Sequence, residues 1–422
     1  MRTTKNSGFE WIGEIPISWE LYKGKYMFTQ RNLRGNTIEL QLLSPTQKYG
    51  VVPQSVYEDR SGMNAVKLNE NANLSALKTI HKGDFCISLR SFQGGFEYSE
   101  YEGVVSPAYQ VFYPVVKVAR GYYKYLFKDS GFIEKMNSYT MTLRDGKNIA
   151  FTDFGNTYIP CPPVDEQQRI ADFLDTKCAE IDALTADIQA QIDTLEQYKR
   201  SVITETVTKG LNPDAETKDS GVQWIGNMPA HWNVIRGKYI LHYMQKPVRE
   251  DDGVITCFRD GEVTLRSNRR EEGFTMSDKE IGYQGIDVGD LVVHGMDGFA
   301  GSIGISDSRG KASPVLNVLE TDQNKRYIMY YLRSMAYSDV FLALATGIRV
   351  RSCDLRWNKL AELSYPVPPL NEQNAIVKHI DSVLSKADAV IADKKAQLAT
   401  LDEYKKSLIF EYVTGKKEVP IS

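Results

Sequence analysis

Residues 160–175 read PCPPVDEQQRIADFLD, and residues 366–381 read PVPPLNEQNAIVKHID. The match runs without a gap to Thr208 and Thr414, with 22 of 49 positions identical at an offset of 206. Ungapped self-similarity of that length decides the architecture before any local reading. A second pair lies upstream of each. Residues 7–26, SGFEWIGEIPISWELYKGKY, match residues 220–239, SGVQWIGNMPAHWNVIRGKY, at 10 of 20 positions. Trp11/Trp224, Pro16/Pro229, Trp19/Trp232 and the closing Gly-Lys-Tyr are among the identities. Between these anchors the halves agree weakly: Gly83-Asp84 followed by Ser106-Pro107 answers Gly289-Asp290 followed by Ser313-Pro314. The chain is a tandem duplication. Two copies at such a period do not make a solenoid, and a pseudo-twofold arrangement is expected.

After Pro162-Pro163 and Pro368-Pro369 each copy changes character. Leu174, Ile181, Ile188, Leu195 and Val202 recur every seven residues, with Ile170, Leu184 and Tyr198 between them. That spacing predicts the a/d seam of a coiled coil. The second copy places Ile376, Ile380, Val383, Val390, Leu401, Tyr404 and Leu408 on the matching face, with Lys394 and Gln397 interrupting it. Asp165 and Asn371 are the expected N-caps, and Gly210 and Gly415 the expected stops. A helix of about 44 residues runs roughly 66 Å and must bury its stripe. The other copy is the obvious partner, antiparallel because a whole globular segment separates them. The expected domains are therefore 1–163, the helix 164–210, 211–369 and the helix 370–415.

Each globular segment reads as mixed α+β. Val104, Val105, Tyr109, Val111, Tyr113, Val115 and Val116 predict strand, as do Leu291, Val292 and Val293. Residues 121–136 and 325–341 predict amphipathic helices. Gly-rich loops, SFQGGF at 91–96 and GMDGFAGSIG at 295–304, lie between strands.

With 51 Lys+Arg against 54 Asp+Glu, the net charge is −3. A protein gripping DNA alone usually carries a basic surplus, so either the cations are clustered or a partner neutralises phosphates. They do cluster, in loop-like stretches: Arg31 and Arg34, Arg90, Arg144 and Lys147, Arg259, Arg266, Arg269 and Arg270, and Arg349 and Arg351. Arginine can bond bidentately to the edge of guanine, which makes these the candidate DNA contacts. The structural alternative for any one of them is a solvated surface charge.

No catalytic constellation is complete. GISDSRGKAS (304–313) spaces its glycines six apart and has Ala312 where a phosphate loop needs Ser or Thr. Asp214 and Glu216 are too close for a nuclease carboxylate pair, and the Pro-Pro pairs lack the Asn or Asp of an adenine methyltransferase. The five histidines form no i, i+4 pair and no triad pattern. No metal site is expected, because the five cysteines are scattered. The N-terminus shows no apolar run behind its basic residues and no stretch approaches about 18 apolar residues, so a cytoplasmic binding protein is expected.

The paired SGxxWIGxxPxxW…GK and PPxxEQxxI…Y-[KR]-x-S patterns resemble the specificity subunits of type I restriction–modification enzymes, over essentially the whole chain. The resemblance implies two target-recognition domains, each reading one half of a bipartite, asymmetric double-stranded DNA site. It implies helices that set the spacer and dock two methylation subunits, with restriction subunits in the full complex. S-adenosylmethionine, ATP and Mg are then expected on those partners and no cofactor on this chain. Trp11, Trp19, Glu166, Gln167, Trp224, Trp232, Glu372 and Gln373 match the family's structural and docking motifs; no base-contacting residue transfers. Two other readings fit the repeat: a coiled-coil scaffold without a DNA role, and the specificity subunit of a related bipartite-site system.

Overall fold

A computed structural model describes residues 2–34, 40–65, 74–87, 95–139, 149–269, 281–344 and 355–420. It divides into two compact units: residues 1–188 with 396–422, and residues 189–395. Each contains one globular segment and half of each long helix.

In the first unit, strands β1 (Phe28–Gln30), β2 (Phe85–Ile87), β3 (Phe96–Tyr98) and β4 (Gln110–Pro114) form an antiparallel sheet in the order β1-β4-β2-β3. Helix α1 (Arg120–Leu126) follows, and then the long helix α2 (Val164–Lys209). In the second unit, β5 (His242–Met244), β6 (Leu291–His294), β7 (Ile303–Ile305) and β8 (Leu316–Glu320) take the same order, β5-β8-β6-β7. They are followed by α3 (Lys325–Tyr337) and α4 (Leu370–Val413). The cores differ in chemistry. Phe28, Phe85, Phe96, Phe112, Phe127, Phe132 and Phe154 fill the first, with the Phe28 and Phe112 ring centroids 5.7 Å apart. Leu291, Val293, Ile303, Leu319, Tyr327 and Tyr331 fill the second. Cores tolerate such exchanges if volume and patterning are kept, which is why the copies share topology while their sequences agree weakly between the anchors.

Local expectations need correction. The run from Val104 to Val116 is two strands, Gly103–Val105 and β4, separated by a turn, and Val115 and Val116 lie exposed beyond them. The helix expected over 121–136 breaks after Leu126. Asp129 starts a new one at Ser130–Ser138 by accepting the Phe132 N–H at 3.1 Å. Asp339, at φ +54°, ends the helical run expected over 325–341 between α3 and Val340–Ala343. The helices also start earlier than the polar caps predicted. The Pro163 carbonyl accepts from Gln167 N at 2.9 Å and that of Pro369 from Gln373 N at 3.0 Å, so the prolines occupy the cap position and Asp165 and Asn371 fall inside the first turn.

The helix pair is antiparallel in both units. In the first, the rings of Phe173 and Tyr412 are 4.5 Å apart and Lys405 reaches Asp182 at 2.6 Å. In the second, Lys199 meets Asp388 at 2.6 Å. The heptad describes the seam in part: Leu174, Ile181 and Ile188 are buried as expected, and Leu195 and Val202 are half-buried. Ile170, Ile181, Ile192 and Ile203 are buried at intervals of 11, as are Ile380 and Ile391, whereas Leu184, Tyr198, Val390 and Tyr404 are 45–55% exposed. Eleven residues in three turns is 3.67 per turn, close to the 3.6 of a straight helix, so a seven-residue count drifts off the buried face.

Burial sets one pH dependence. Glu97 is buried and its carboxyl is pushed up to about 7, against the pull of Lys128 at 2.7 Å. Burial raises Asp129 in the same way, to about 6. A raised carboxyl stabilises the fold fully below its ordinary value and loses that contribution as pH rises through the folded value. The first unit is therefore expected to unfold more easily at pH 8 than at pH 5, by about 1–2 kcal/mol. Glu97→Gln should flatten that slope in thermal melts at the two pH values; an unchanged slope would assign it elsewhere.

Candidate nucleic-acid interface

The repeated Gly-Asp pairs organise each globular segment. Gly83 and Gly289 both sit at φ +88°, a backbone that favours glycine, and this turn buries the following aspartate. Asp84 then holds Arg31 through two bonds of 2.6 and 3.2 Å. Asp290 holds Lys246 at 2.7 Å, with Asp287 adding a second carboxylate at 2.9 Å. Arg31 also lies 4.2 Å above the Tyr113 ring. Arg31 is thus held in an ion pair within the fold, with its side chain one-fifth exposed. Arg34 is exposed and bridges backbone-to-backbone with Lys78.

The second segment gathers the other described cations. Arg259, Arg266 and Arg269 line one cleft of about 550 Å³ together with Thr256, Tyr283, His294, Asp297 and Ser302. Arg269 is tied down by Asp260 at 2.5 Å and Glu262 at 3.2 Å, and covers the Phe258 ring at 4.2 Å. Arg266 reaches Thr256 Oγ1 at 3.4 Å. Arg259 is 64% exposed and touches Asp297 at 3.0 Å. His294 Nδ1 accepts from the N–H groups of Met296 and Asp297, and burial keeps this imidazole below its ordinary pKa. The buried Ser302 Oγ has no hydrogen-bond partner among the described residues. Sequence reasoning found the arginines but not Asp297, His294 or Ser302; a Gly-rich loop spaces them and hides their convergence. Arg90, Arg144, Lys147, Arg270, Arg349 and Arg351 lie outside the described residues.

The PPxxEQ motif is an internal clamp. Gln167 is wholly buried; its amide accepts from Ala119 N at 2.9 Å and donates to Pro162 O at 2.7 Å. Gln373 repeats this with Asn324 N at 3.0 Å and Pro368 O at 2.9 Å. Each thereby ties the start of a long helix to the N-cap of α1 or α3. The tyrosines of those helices finish the junction: Tyr122 donates to Val413 O at 2.6 Å and Tyr327 to Val207 O at 3.1 Å. Trp19 and Trp232 are fully buried there, against Gly415 and Gly210. Trp11 packs edge-on to Phe132, and Trp224 donates to Tyr331 at 3.1 Å. The glutamates have diverged: Glu166 pairs with Arg2 at 2.6 Å, whereas Glu372 takes Trp232 Nε1 at 3.1 Å and His231 at 2.8 Å. Gln167, Gln373, Trp19 and Trp232 are therefore buried parts of the fold, whereas Trp11 and Trp224 are half-buried.

Each copy of the duplicated α+β segment is therefore clamped to the paired long helices by the same repeated residues. Residues 18–194 match the type I restriction modification DNA specificity domain. One Methanocaldococcus jannaschii relative is 25% identical over 286 residues, covering 64% of this chain and 62% of its own length. The type I restriction enzyme MjaVIII specificity subunit of the same organism is 24% identical, covering 67% and 68%. The type I restriction enzyme EcoBI specificity subunit of Escherichia coli is 22% identical, covering 68% and 64%. These alignments thus span about two thirds of the relatives' length. Among solved structures, the HsdS subunit from Thermoanaerobacter tengcongensis superposes with a TM-score of 0.51 at 14% identity, over 98% of this chain and 100% of that one. A chain from a structure described as the basis of complex assembly and conformational transition of the type I R-M system gives 0.68 at 15%, over 96% and 99%. The chain is thus similar to type I restriction–modification specificity subunits, the family that its paired motifs resemble. No helix among the described residues is long and apolar enough to cross a membrane.

Proposed function

We propose that this chain is the non-catalytic, sequence-recognising subunit of a type I DNA methylation and restriction complex. Each recognition segment reads one half of a bipartite, asymmetric duplex site, and the long helices fix the spacing and dock two methylation subunits. Those subunits bind S-adenosylmethionine and methylate adenine N6; restriction subunits add ATP- and Mg-dependent translocation and cleavage. The observation that carries the reading is the duplication itself: two copies of one fold on paired helices, with a cleft lined by arginines in one of them. The exposed apolar residues of the helices support the docking. Leu184 and Tyr404 belong to the first unit, Tyr198 and Val390 to the second, at equivalent positions of the repeat. A net charge of −3 fits a subunit whose partners neutralise part of the DNA phosphate.

Reconstitution tests this. The chain alone should leave DNA unmodified, and the chain with a type I methylation subunit should methylate adenine in one bipartite motif. Methylation at unrelated sequences, or the same motif from the methylation subunit without this chain, would contradict it.

A further inference from the structure

We propose that Arg259 and Asp297 act as one reading head for a G·C base pair in the half-site of the second recognition segment, an inference that rests on the reading above. Both line the cleft on that segment, and both are accessible: their side chains are 64% and 37% exposed. Their bond of 3.0 Å uses one guanidinium nitrogen and one carboxylate oxygen. An arginine has five N–H donors and a carboxylate two oxygens, so donors and an acceptor remain side by side. In the major groove a G·C pair presents guanine N7 and O6, two acceptors, followed by the cytosine N4 donor. Donor, donor, acceptor is its complement. An A·T pair, with acceptor, donor, acceptor, would set the adenine amino group against the arginine and thymine O4 against the carboxylate.

The lining of mixed sign favours a base over a phosphate. Asp297 and Asp260 stand among the three arginines, and a carboxylate beside a phosphodiester is repelled. The pair is also held in place before any DNA arrives. Gly301, at φ +97°, presses its turn against the Arg259 backbone, where a Cβ would come within 2.6 Å of the carbonyl oxygen. His294 Nδ1 accepts the Asp297 N–H at 2.9 Å, so His294 is a positioning residue. Fixed geometry of this kind is what lets a hydrogen-bonding pair discriminate.

The test uses the chain assembled with its methylation subunit, and sequences the methylated sites in a library with both half-sites randomised. Arg259→Ala, Arg259→Lys and Asp297→Ala should each relax one G·C position of one half-site, by roughly tenfold to a hundredfold in preference. The other half-site and the spacer should stay unchanged. Lysine keeps the charge but not the fork, so an Arg259→Lys variant with its motif intact would reduce Arg259 to a phosphate contact and overturn the inference. Uniform weakening by Arg259→Ala without a change of motif would do the same. If the wild-type assembly gives no bipartite motif at all, the proposed function falls and takes this inference with it. A wild-type motif that all three variants preserve overturns the inference alone.

Discussion

Replacing Gln373 with alanine should destabilise the second unit by about 3 kcal/mol, and Gln167→Ala should do the same to the first. Neither amide is exposed to solvent, so truncation opens no path for water to replace it. Gln167→Ala strands the Ala119 N–H and the Pro162 carbonyl; Gln373→Ala strands the Asn324 N–H and the Pro368 carbonyl and frees the half-exposed Gln323 side chain. Each buried polar group left unpaired costs about 1–3 kcal/mol, and the lost methylenes add a small cavity. Gln→Glu is the informative companion. The carboxylate can still accept from the backbone N–H but cannot donate to the proline carbonyl, so it should recover only part of the loss. Denaturant unfolding measures both, and hydrogen exchange near α1 or α3 places the loss in one unit. A cost below about 1 kcal/mol for both alanine variants would mean that the clamp does not hold helix to segment.

How much of this was legible in the sequence depended on what each residue had to do. The duplication and the two long helices were legible because 22 of 49 aligned positions survive, the clamp residues Gln167 and Gln373 among them. The seam was legible in part, since Leu174, Ile181 and Ile188 are buried as the heptad required. Leu184 and Tyr198 fit a count of seven, but Cys178 and Ile192 occupy the buried face, and a cysteine carries little weight in a search for apolar periodicity. The helix caps were misjudged because the backbone carbonyl of any residue, proline included, accepts the first helical bond, so a helix can begin without a polar cap side chain. Arg31 and Arg259 looked alike as loop cations. Only the fold separates them: Arg31 meets the buried Asp84 and Arg259 the half-exposed Asp297. Pairing across 38 to 53 residues leaves no local trace.

The central claim is that the two segments read DNA independently. It is tested most directly by exchanging residues 211–369 for the corresponding segment of a relative with a different target. The exchange is structurally reasonable because the contacts that seat this segment are the repeated ones. Trp232 packs at Gly210, Tyr327 bonds the end of α2, and Gln373, left in place at the start of α4, bonds backbone at Asn324. A donor carrying Trp and Tyr at those positions should dock in the same way, whatever its recognition loops. The measurement is genome-wide mapping of methylated adenine in cells that carry the exchanged chain with its methylation subunit. The expected result is a hybrid motif in which one half-site is the donor's and the other is unchanged, at full occupancy. If both half-sites change together, or if the original motif persists, the segments are not independent readers and the account is wrong.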